Sequence, residues 1–104
     1  MNPQFKKGVL ELCVLAKMVQ EDCYGYKLTE HISKEVELAT GTLYLILKRL
    51  KDEEYVDTYL VESESGPARK YYHLTEKGHS YYSKLIQEWD EFVAAVNRLT
   101  QKGV

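Results

Sequence analysis

The chain has 104 residues, of which 44% are hydrophobic and 29% charged, and its formal net charge is -2 at pH 7. This length and composition indicate one globular domain with a modest core, too small to enclose a deep active site. Because the net charge is slightly negative, binding to nucleic acid would have to depend on a local cluster of basic side chains. The sequence shows neither a signal peptide nor an apolar run long enough to span a membrane, so a cytoplasmic protein is expected.

Three helices are predicted in the first half of the chain. The first runs from about Phe5 to Val19 and is apolar over much of its circumference, which predicts a central position in the core. The second follows from about Gly25 to Lys34, and the third runs to about Glu53 from Thr40, its predicted N-cap. Four apolar residues at helical spacing predict the buried face of the third helix: Leu43, Ile46, Leu47 and Leu50.

A hairpin and a long helix are predicted in the second half. Two stretches rich in β-branched and aromatic residues, 56–63 and 69–74, flank a predicted turn at 64–68 that contains Gly66 and Pro67. Thr75 is the predicted N-cap of a last helix that ends near Leu99. This order predicts a mainly α fold with a β-hairpin wing (α+β), a winged helix-turn-helix domain at 1–74 and a C-terminal dimerisation helix at 75–104.

The outward face of the third helix is basic. It contains no acidic residue from 40 to 51, although the protein is acidic overall, and its basic residues are Lys48, Arg49 and Lys51. Such a helix suits the major groove of double-stranded DNA, with its cations close to the phosphates. The alternative is a helix face that is only solvated.

The start of the third helix adds polar groups that suit a phosphate. Free N–H groups at a helix N-terminus carry partial positive charge, and Thr40 and Thr42 add hydroxyls there. Gly41 has no side chain that would keep the backbone at a distance from the phosphate. Tyr44 and Leu45 are predicted on the same outward face, where a thymine methyl group and a sugar edge would give them partners.

The hairpin provides a second basic pair, Arg69 and Lys70, next to the predicted turn. Glu62 and Glu64 are close in sequence and partly neutralise it. The wing is therefore predicted to be a weaker DNA contact than the third helix, and the alternative is a plain turn with two cations in solvent.

The last helix has a heptad-like apolar seam made of Tyr82, Leu85, Trp89, Phe92, Val96 and Leu99. At 1.5 Å per residue this helix is roughly 36 Å long, more than a three-helix core can cover. We expect a homodimer to cover the remainder, with Phe5 and Val9 of the first helix completing the interface. The alternative is that the helix folds back onto its own domain.

Several segments together carry a resemblance to a known family. The chain resembles the PadR family of transcriptional regulators over nearly its whole length. The short final helix resembles the small-subfamily members, which keep a single C-terminal helix. The resemblance is carried by YGYKL (24–28), GTLYLILKRL (41–50), ESESGPARKYYHLTEKG (62–78) and the tryptophan of QEWDEF (87–92).

The resemblance implies a winged-helix domain that binds DNA as a homodimer and represses genes for phenolic-acid, antibiotic or multidrug responses. Two-fold symmetry would require an inverted-repeat operator. By position, Arg69 and Lys70 would contact the DNA backbone. The residues that would read the major groove are Thr40, Thr42, Tyr44 and Lys48. In one respect this chain departs from the family: many relatives have a glycine before the first strand, where this chain has Glu53-Glu54-Tyr55, so the third helix must end without it.

The resemblance also implies an effector site at Trp89, because matching tryptophans of multidrug-binding relatives stack on planar aromatic compounds. The surrounding residues at helical spacing are Ile86, Phe92 and Val93. A planar aromatic or phenolic effector is therefore expected, with a packed dimer interface as the alternative.

Other classes of function are less well supported by the sequence. His31, His73 and His79 are scattered and no nucleophile has a base beside it, so an enzyme is not expected, nor is a cofactor or a metal site. The main alternative function is a winged-helix protein-protein interaction module that does not read DNA.

Overall fold

The computed structural model describes residues 3 to 101, with the side chains of residues 8 to 101. The helix-helix-helix-hairpin-helix order and the α+β class are confirmed, and one short strand is added before the second helix. The elements are α1 (Pro3–Gln20), β1 (Cys23–Tyr24), α2 (Gly25–Ser33), α3 (Thr40–Asp52), β2 (Val56–Ser63), β3 (Gly66–Leu74) and α4 (Glu76–Thr100).

The core lies where the first three helices meet the inner face of the sheet. Its fully buried side chains come from all three of these helices and from all three strands: Val14, Leu15, Cys23, Leu28, Leu43, Leu47, Leu50, Val56 and Leu74. The buried face predicted for α3 is confirmed, because its four apolar residues are all at most 3% exposed. Packing of this face holds α3 in place and leaves its other side at the surface.

The three strands form an antiparallel sheet in the order β1-β3-β2. The predicted turn at 64–68 is wrong in its position, because Ser63 pairs with Gly66 and only two residues connect the strands. A register irregularity between Val61 and Ser63 makes this pairing possible, so Gly66 and Pro67 belong to β3. The basic pair therefore lies well inside β3.

The two predicted helix caps have different outcomes. Thr75 caps α4 as predicted, and its hydroxyl accepts a hydrogen bond from the Gly78 N–H at 3.0 Å. The prediction for Thr40 is wrong. Thr40 is the first helical residue of α3, and Ala39 is the N-cap without a side-chain hydrogen bond. The first N–H groups of α3 are thus not capped by a side chain of the N-cap residue.

The end of α3 is closed without glycine, as the sequence requires. Glu54 has a φ of 65°, in the left-handed region that glycine normally fills. The Glu54 N–H donates to the Lys51 carbonyl at 3.0 Å, and the Tyr55 N–H donates to the Leu50 carbonyl at 2.9 Å. This pair of bonds is a Schellman motif. The hydroxyl of Thr75 also donates to the Glu54 carbonyl at 2.8 Å, which holds the strained residue in place.

The two halves of α4 have different surroundings. Tyr82 and Leu85, in its first half, pack against the core of their own chain. In the second half, Phe92 is 51% and Leu99 is 84% exposed. The first part of the apolar seam predicted along α4 is therefore packed within its own chain, and the second part is exposed. The molecule is elongated and measures 54 × 27 × 23 Å. Of the two α1 residues predicted to join it, Val9 is half-buried, while the Phe5 side chain lies outside the described residues.

Candidate nucleic-acid interface

The outward face of α3 carries most of the predicted contact residues. Leu45 is 70% and Tyr44 is 46% exposed, and Lys48 and Lys51 are also exposed. At the start of the helix Thr40 and Gly41 are exposed and Thr42 is half-buried. A Cβ at Gly41 would meet no atom within 4 Å, so the backbone there is open to a close approach. Their outward positions agree with the sequence prediction.

Lys48 is not an isolated cation. Its Nζ donates to the Asp52 carboxylate at 3.0 Å, one turn along the helix, with both side chains well exposed. The sequence prediction counted acidic residues only as far as position 51 and therefore missed this partner. An exposed pair of this kind is weak, so Lys48 can exchange Asp52 for a phosphate at small cost.

The predicted outward position of Arg49 is wrong. Its Nε donates to the Glu11 carboxylate of α1 at 3.1 Å, and its Nη2 forms a second bond to the same carboxylate. Burial alone would lower the pKa of Arg49, but the stronger hydrogen bond with Glu11 raises it. Arg49 thus binds Glu11 within its own chain, and we expect the lysines of α3 rather than Arg49 to contact DNA.

A cleft of about 500 Å³ lies between α3, the start of α2 and β3. We call it the aromatic cleft, and it is lined by Tyr24, Gly25, Tyr26, Tyr44, Arg69, Lys70 and Tyr72. A smaller depression of about 310 Å³ continues from it along α3 towards Lys48 and Lys51, and shares Tyr44, Lys70 and Tyr72. Of the predicted contact residues, Tyr44, Lys48 and Lys51 of α3 and the basic pair of the wing therefore border one continuous surface.

Gly25 allows Tyr44 to lie in the aromatic cleft. A Cβ at Gly25 would stand 2.8 Å from Cζ and 2.9 Å from Cε1 of the Tyr44 ring, both shorter than any ordinary contact. The first residue of α2 must therefore lack a side chain for the Tyr44 ring to hold this position. Tyr44 itself is thereby aimed along the cleft and away from the core.

Both residues of the basic pair of the wing line the aromatic cleft. Lys70 lines both the aromatic cleft and the depression beside α3. The Arg69 guanidinium lies 4.5 Å from the centre of the Tyr24 ring, a cation–π contact that orients it beside the cleft. Behind it, the Tyr71 ring contacts Tyr24 edge to face at 5.4 Å and stacks with Tyr59 at 5.6 Å. This row of rings stiffens the wing.

A polar contact ties the wing to the end of α1. The Asp22 carboxylate accepts a hydrogen bond from the Tyr59 hydroxyl at 2.7 Å and lies 2.9 Å from Nδ1 of His73. Hydrogen bonding to Asp22 raises the pKa of Tyr59 to about 12 and also raises the pKa of His73. Burial alone would raise the pKa of Asp22, but the bonds from Tyr59 and His73 lower it. His73 therefore has a structural partner that the sequence did not indicate.

Sequence reasoning missed two residues of this surface, Tyr24 and Tyr26. Both line the aromatic cleft, and Tyr26 is 69% exposed on the first turn of α2. The signal in the sequence was the Tyr-Gly-Tyr triplet, because a glycine between two aromatic residues at the start of a helix indicates that another group packs closely against the backbone there.

The predicted effector residues lie at the boundary between the two halves of α4. Trp89, Ile86 and Val93 are half-buried, and Phe92 is more exposed.

Among the residues that the structure describes, no helix is both long and apolar enough to cross a membrane.

Comparisons with known proteins agree with this geometry. The model of the transcriptional regulator PadR-like family matches residues 14–84. A PadR-like transcriptional regulator from Bacillus cereus is 37% identical, with a TM-score of 0.86 over 96% of this chain and 99% of that one. A Streptococcus transcriptional regulator is 32% identical, with a TM-score of 0.86 over 95% of this chain and 99% of that one. An uncharacterized protein of Lysinibacillus sphaericus is 33% identical over 82% of each chain.

Proposed function

We propose, because this chain belongs to the PadR-like family of transcriptional regulators, that it represses transcription by binding an inverted-repeat operator as a homodimer. DNA binding itself follows from the family. We propose in addition which residues contact the duplex, how two chains assemble, and what releases the DNA.

The observation that carries the proposal is the continuous surface formed by α3, the aromatic cleft and the depression beside it. On it, Lys48, Lys51 and Lys70 place three cations around an exposed helix in a protein of net charge -2. Such local charge supplies phosphate contacts, and Tyr44 and Leu45 supply apolar contacts for base and sugar edges. We assign α3 to the major groove.

The start of α3 forms the second part of the proposed contact. Thr40, Gly41 and Thr42 lie at its uncapped N-terminal turn, where N–H groups and hydroxyls converge. A phosphate at this end would fix the register of the helix in the groove. On the wing, Arg69 and Lys70 would contact the neighbouring backbone, with Arg69 held in place by the Tyr24 ring.

We assign dimerisation to the second half of α4. Val96 and Leu99 are 36% and 84% exposed there, on the same side of the helix as Phe92. A single chain leaves Val96 and Leu99 partly exposed to water, and a symmetric pair of helices would bury them. Trp89, three residues before Phe92, and Val9 of α1 are half-buried, and we assign both to the interface.

We further assign the effector site to Trp89 and its neighbours Ile86, Phe92 and Val93. Their half-exposed apolar side chains offer planar aromatic or phenolic molecules a lining of the usual composition of small-molecule sites. Release of DNA would require that the effector binds one arrangement of the dimer more tightly than the other.

A selection from randomised duplexes tests the proposal. Wild-type protein is incubated with a library of double-stranded DNA, and bound sequences are amplified and sequenced. We expect an enriched inverted repeat with half-sites about one helical turn apart. Recovery of no enriched sequence, with folded protein, would contradict the proposal and favour a winged-helix module that binds another protein.

A further inference from the structure

One buried charged side chain has no part in the DNA surface. Glu11 of α1 is 7% exposed, although carboxylates are rarely buried. It accepts the two hydrogen bonds from Arg49 of α3, and its Oε1 also accepts one from the Tyr81 hydroxyl of α4 at 2.6 Å. Arg49 Nη2 lies 3.4 Å from the same hydroxyl, which closes a triangle. We call Glu11, Arg49 and Tyr81 the three-helix cluster.

Stability alone does not explain the three-helix cluster. The cost of removing a carboxylate and a guanidinium from water offsets most of their attraction, and apolar side chains of similar volume often stabilise a protein equally well. A two-pronged bond between Arg49 and Glu11 adds directionality, because the planar guanidinium meets the carboxylate in one orientation. The cluster thus specifies the angles between α1, α3 and α4 more than it adds free energy.

A second connection joins α3 to α4 beside the cluster. The Tyr81 ring stacks on Tyr55 with centres 4.0 Å apart and planes 5° from parallel. Tyr55 is the residue that closes the Schellman motif of α3. Lys77 of α4 donates to the Glu53 carbonyl at 2.7 Å. The end of α3 and the first turns of α4 are therefore fastened at several points.

The first turn of α4 packs closely against the link between α3 and β2. A Cβ at Gly78 of α4 would overlap the Tyr55 carbonyl oxygen and stand 2.6 Å from the Leu74 side chain. Consequently α4 cannot slide along the α3–β2 link without breaking packed contacts. A rotation of α4 would therefore act on the end of α3 through this link.

We propose that Glu11, Arg49 and Tyr81 are positioning residues for DNA binding, which hold α3 at one angle to α4 so that the dimer presents its two recognition helices at one half-site spacing. This inference rests on the proposed function, because it needs DNA binding by α3 and dimerisation through α4. None of the three residues touches DNA. Their effect is transmitted through the orientation of α3.

The test measures how strictly the dimer selects half-site spacing. The probe is the best-bound inverted repeat from the selection with wild-type protein, together with versions that carry one or two extra base pairs between the half-sites. Dissociation constants are measured by fluorescence anisotropy for wild type, Tyr81→Phe, Glu11→Gln and Arg49→Lys. The spacing ratio is the dissociation constant on a lengthened repeat divided by that on the selected repeat.

We expect a large spacing ratio for wild type and a ratio at least about fivefold smaller for each variant, in the usual range of coupling between sites. Arg49→Lys keeps the charge and loses the two-pronged geometry, so it should behave like Glu11→Gln. Tyr81→Phe keeps the ring that stacks on Tyr55 and removes only the hydroxyl, so it carries the test if Glu11→Gln does not fold. Ser83→Ala is the matched control, because it removes an exposed hydroxyl of the same turn of α4 outside the cluster, and it should keep the wild-type ratio.

The outcomes separate the inference from the proposed function. If wild type selects spacing and the folded variants keep the wild-type ratio, the positioning role is overturned and the proposed function stands. Weaker binding by the same factor on every spacing likewise overturns it, because this is the result of a general loss of stability. If wild type binds no duplex specifically, the proposed function fails first and the inference with it.

Discussion

Lys48 and Asp52 form an ion pair on the exposed face of α3, with Nζ 3.0 Å from the carboxylate. In a DNA complex a phosphate would compete with Asp52 for Lys48. Asp52 therefore restrains the Lys48 ammonium group that the proposed interface needs. Replacing Asp52 releases Lys48 for the phosphate, whereas replacing Lys48 removes the cation itself.

Lys48→Ala should weaken operator binding, and Asp52→Asn should strengthen it. Loss of one phosphate contact lowers the slope of log affinity against log salt concentration by about one unit. If Lys48 reads a base edge instead, the loss falls mainly on one base position and amounts to about 1–3 kcal/mol. Titrations at several salt concentrations distinguish the two cases. Wild-type affinity for Lys48→Ala at every salt concentration would remove Lys48 from the interface.

Glu54→Gly should stabilise the protein by about 1 kcal/mol, since glycine adopts a positive φ without the steric cost that a Cβ carries. The measurement is urea-induced unfolding followed by circular dichroism. Glu54→Ala is the matched control, because it removes the same carboxylate and keeps the Cβ. Equal stability of the Gly and Ala variants would show that the conformation of Glu54 is not strained.

His73→Gln should destabilise the protein at acidic to neutral pH and have less effect at alkaline pH. Hydrogen bonding to Asp22 raises the pKa of His73 above its usual 6.5, with a smaller effect from the nearby Asp57, while burial opposes it. The contribution is therefore fully present below about pH 6.5 and is lost as the pH rises through the folded-state pKa. The pKa of Asp22 is lowered from its usual 3.8, so the contribution of Asp22 to stability is present above pH 3.8 and is lost as the pH falls through its folded-state pKa.

The effect of His73→Gln should stay below about 1 kcal/mol, because both partners are partly exposed. Unfolding free energies from pH 5 to pH 9 check the sign. Asp22→Asn should remove most of the pH dependence that His73→Gln removes. A difference between wild type and His73→Gln that grows with pH would contradict the assignment.

Leu99→Lys together with Val96→Lys should convert the dimer to a monomer, because two charges would enter the proposed apolar interface at the end of α4. Sedimentation equilibrium at micromolar concentrations gives the mass. Ala94→Lys is the control, since helical spacing directs it away from Val96 and Leu99. Wild type that sediments as a monomer would contradict dimerisation through α4.

A planar aromatic cation or a phenolic acid should quench the fluorescence of Trp89, the only tryptophan, and lower operator affinity over the same concentration range. Both effects have the same origin if the molecule binds between two copies of α4 and favours another dimer arrangement. Ile86→Ala should weaken quenching and DNA release together. Quenching that leaves DNA affinity unchanged would reduce Trp89 to an interface residue.

The periodic features of the sequence predicted the helices and the buried face of α3, but not contacts between distant residues. Helical spacing assigned Arg49 to the outward face, yet its partner Glu11 is 38 residues away along the chain. The pairing that defines β1 involves only Cys23 and Tyr24 opposite β3, which is too short for alternation to appear.

Local rules also failed where tertiary packing decided the conformation. Thr40 has the side chain of an N-cap, but Leu38 is buried just before it and α3 begins one residue earlier than capping preference suggests. The missing glycine indicated that α3 must end in another way, but it did not indicate that Glu54 would take a positive φ.

The exposed end of the hairpin has an evolutionary consequence. All residues from 59 to 70 are exposed, whereas the inner face of α3 is fully buried. Substitutions at exposed positions of this kind usually change stability by no more than about 0.5 kcal/mol, while changes in a packed core cost several times as much. Descendants of this sequence can therefore alter the tip of the wing, and with it the proposed contacts to the flanks of an operator, while the fold is preserved. Through those proposed contacts, single substitutions that selection on folding does not remove would open new target sites.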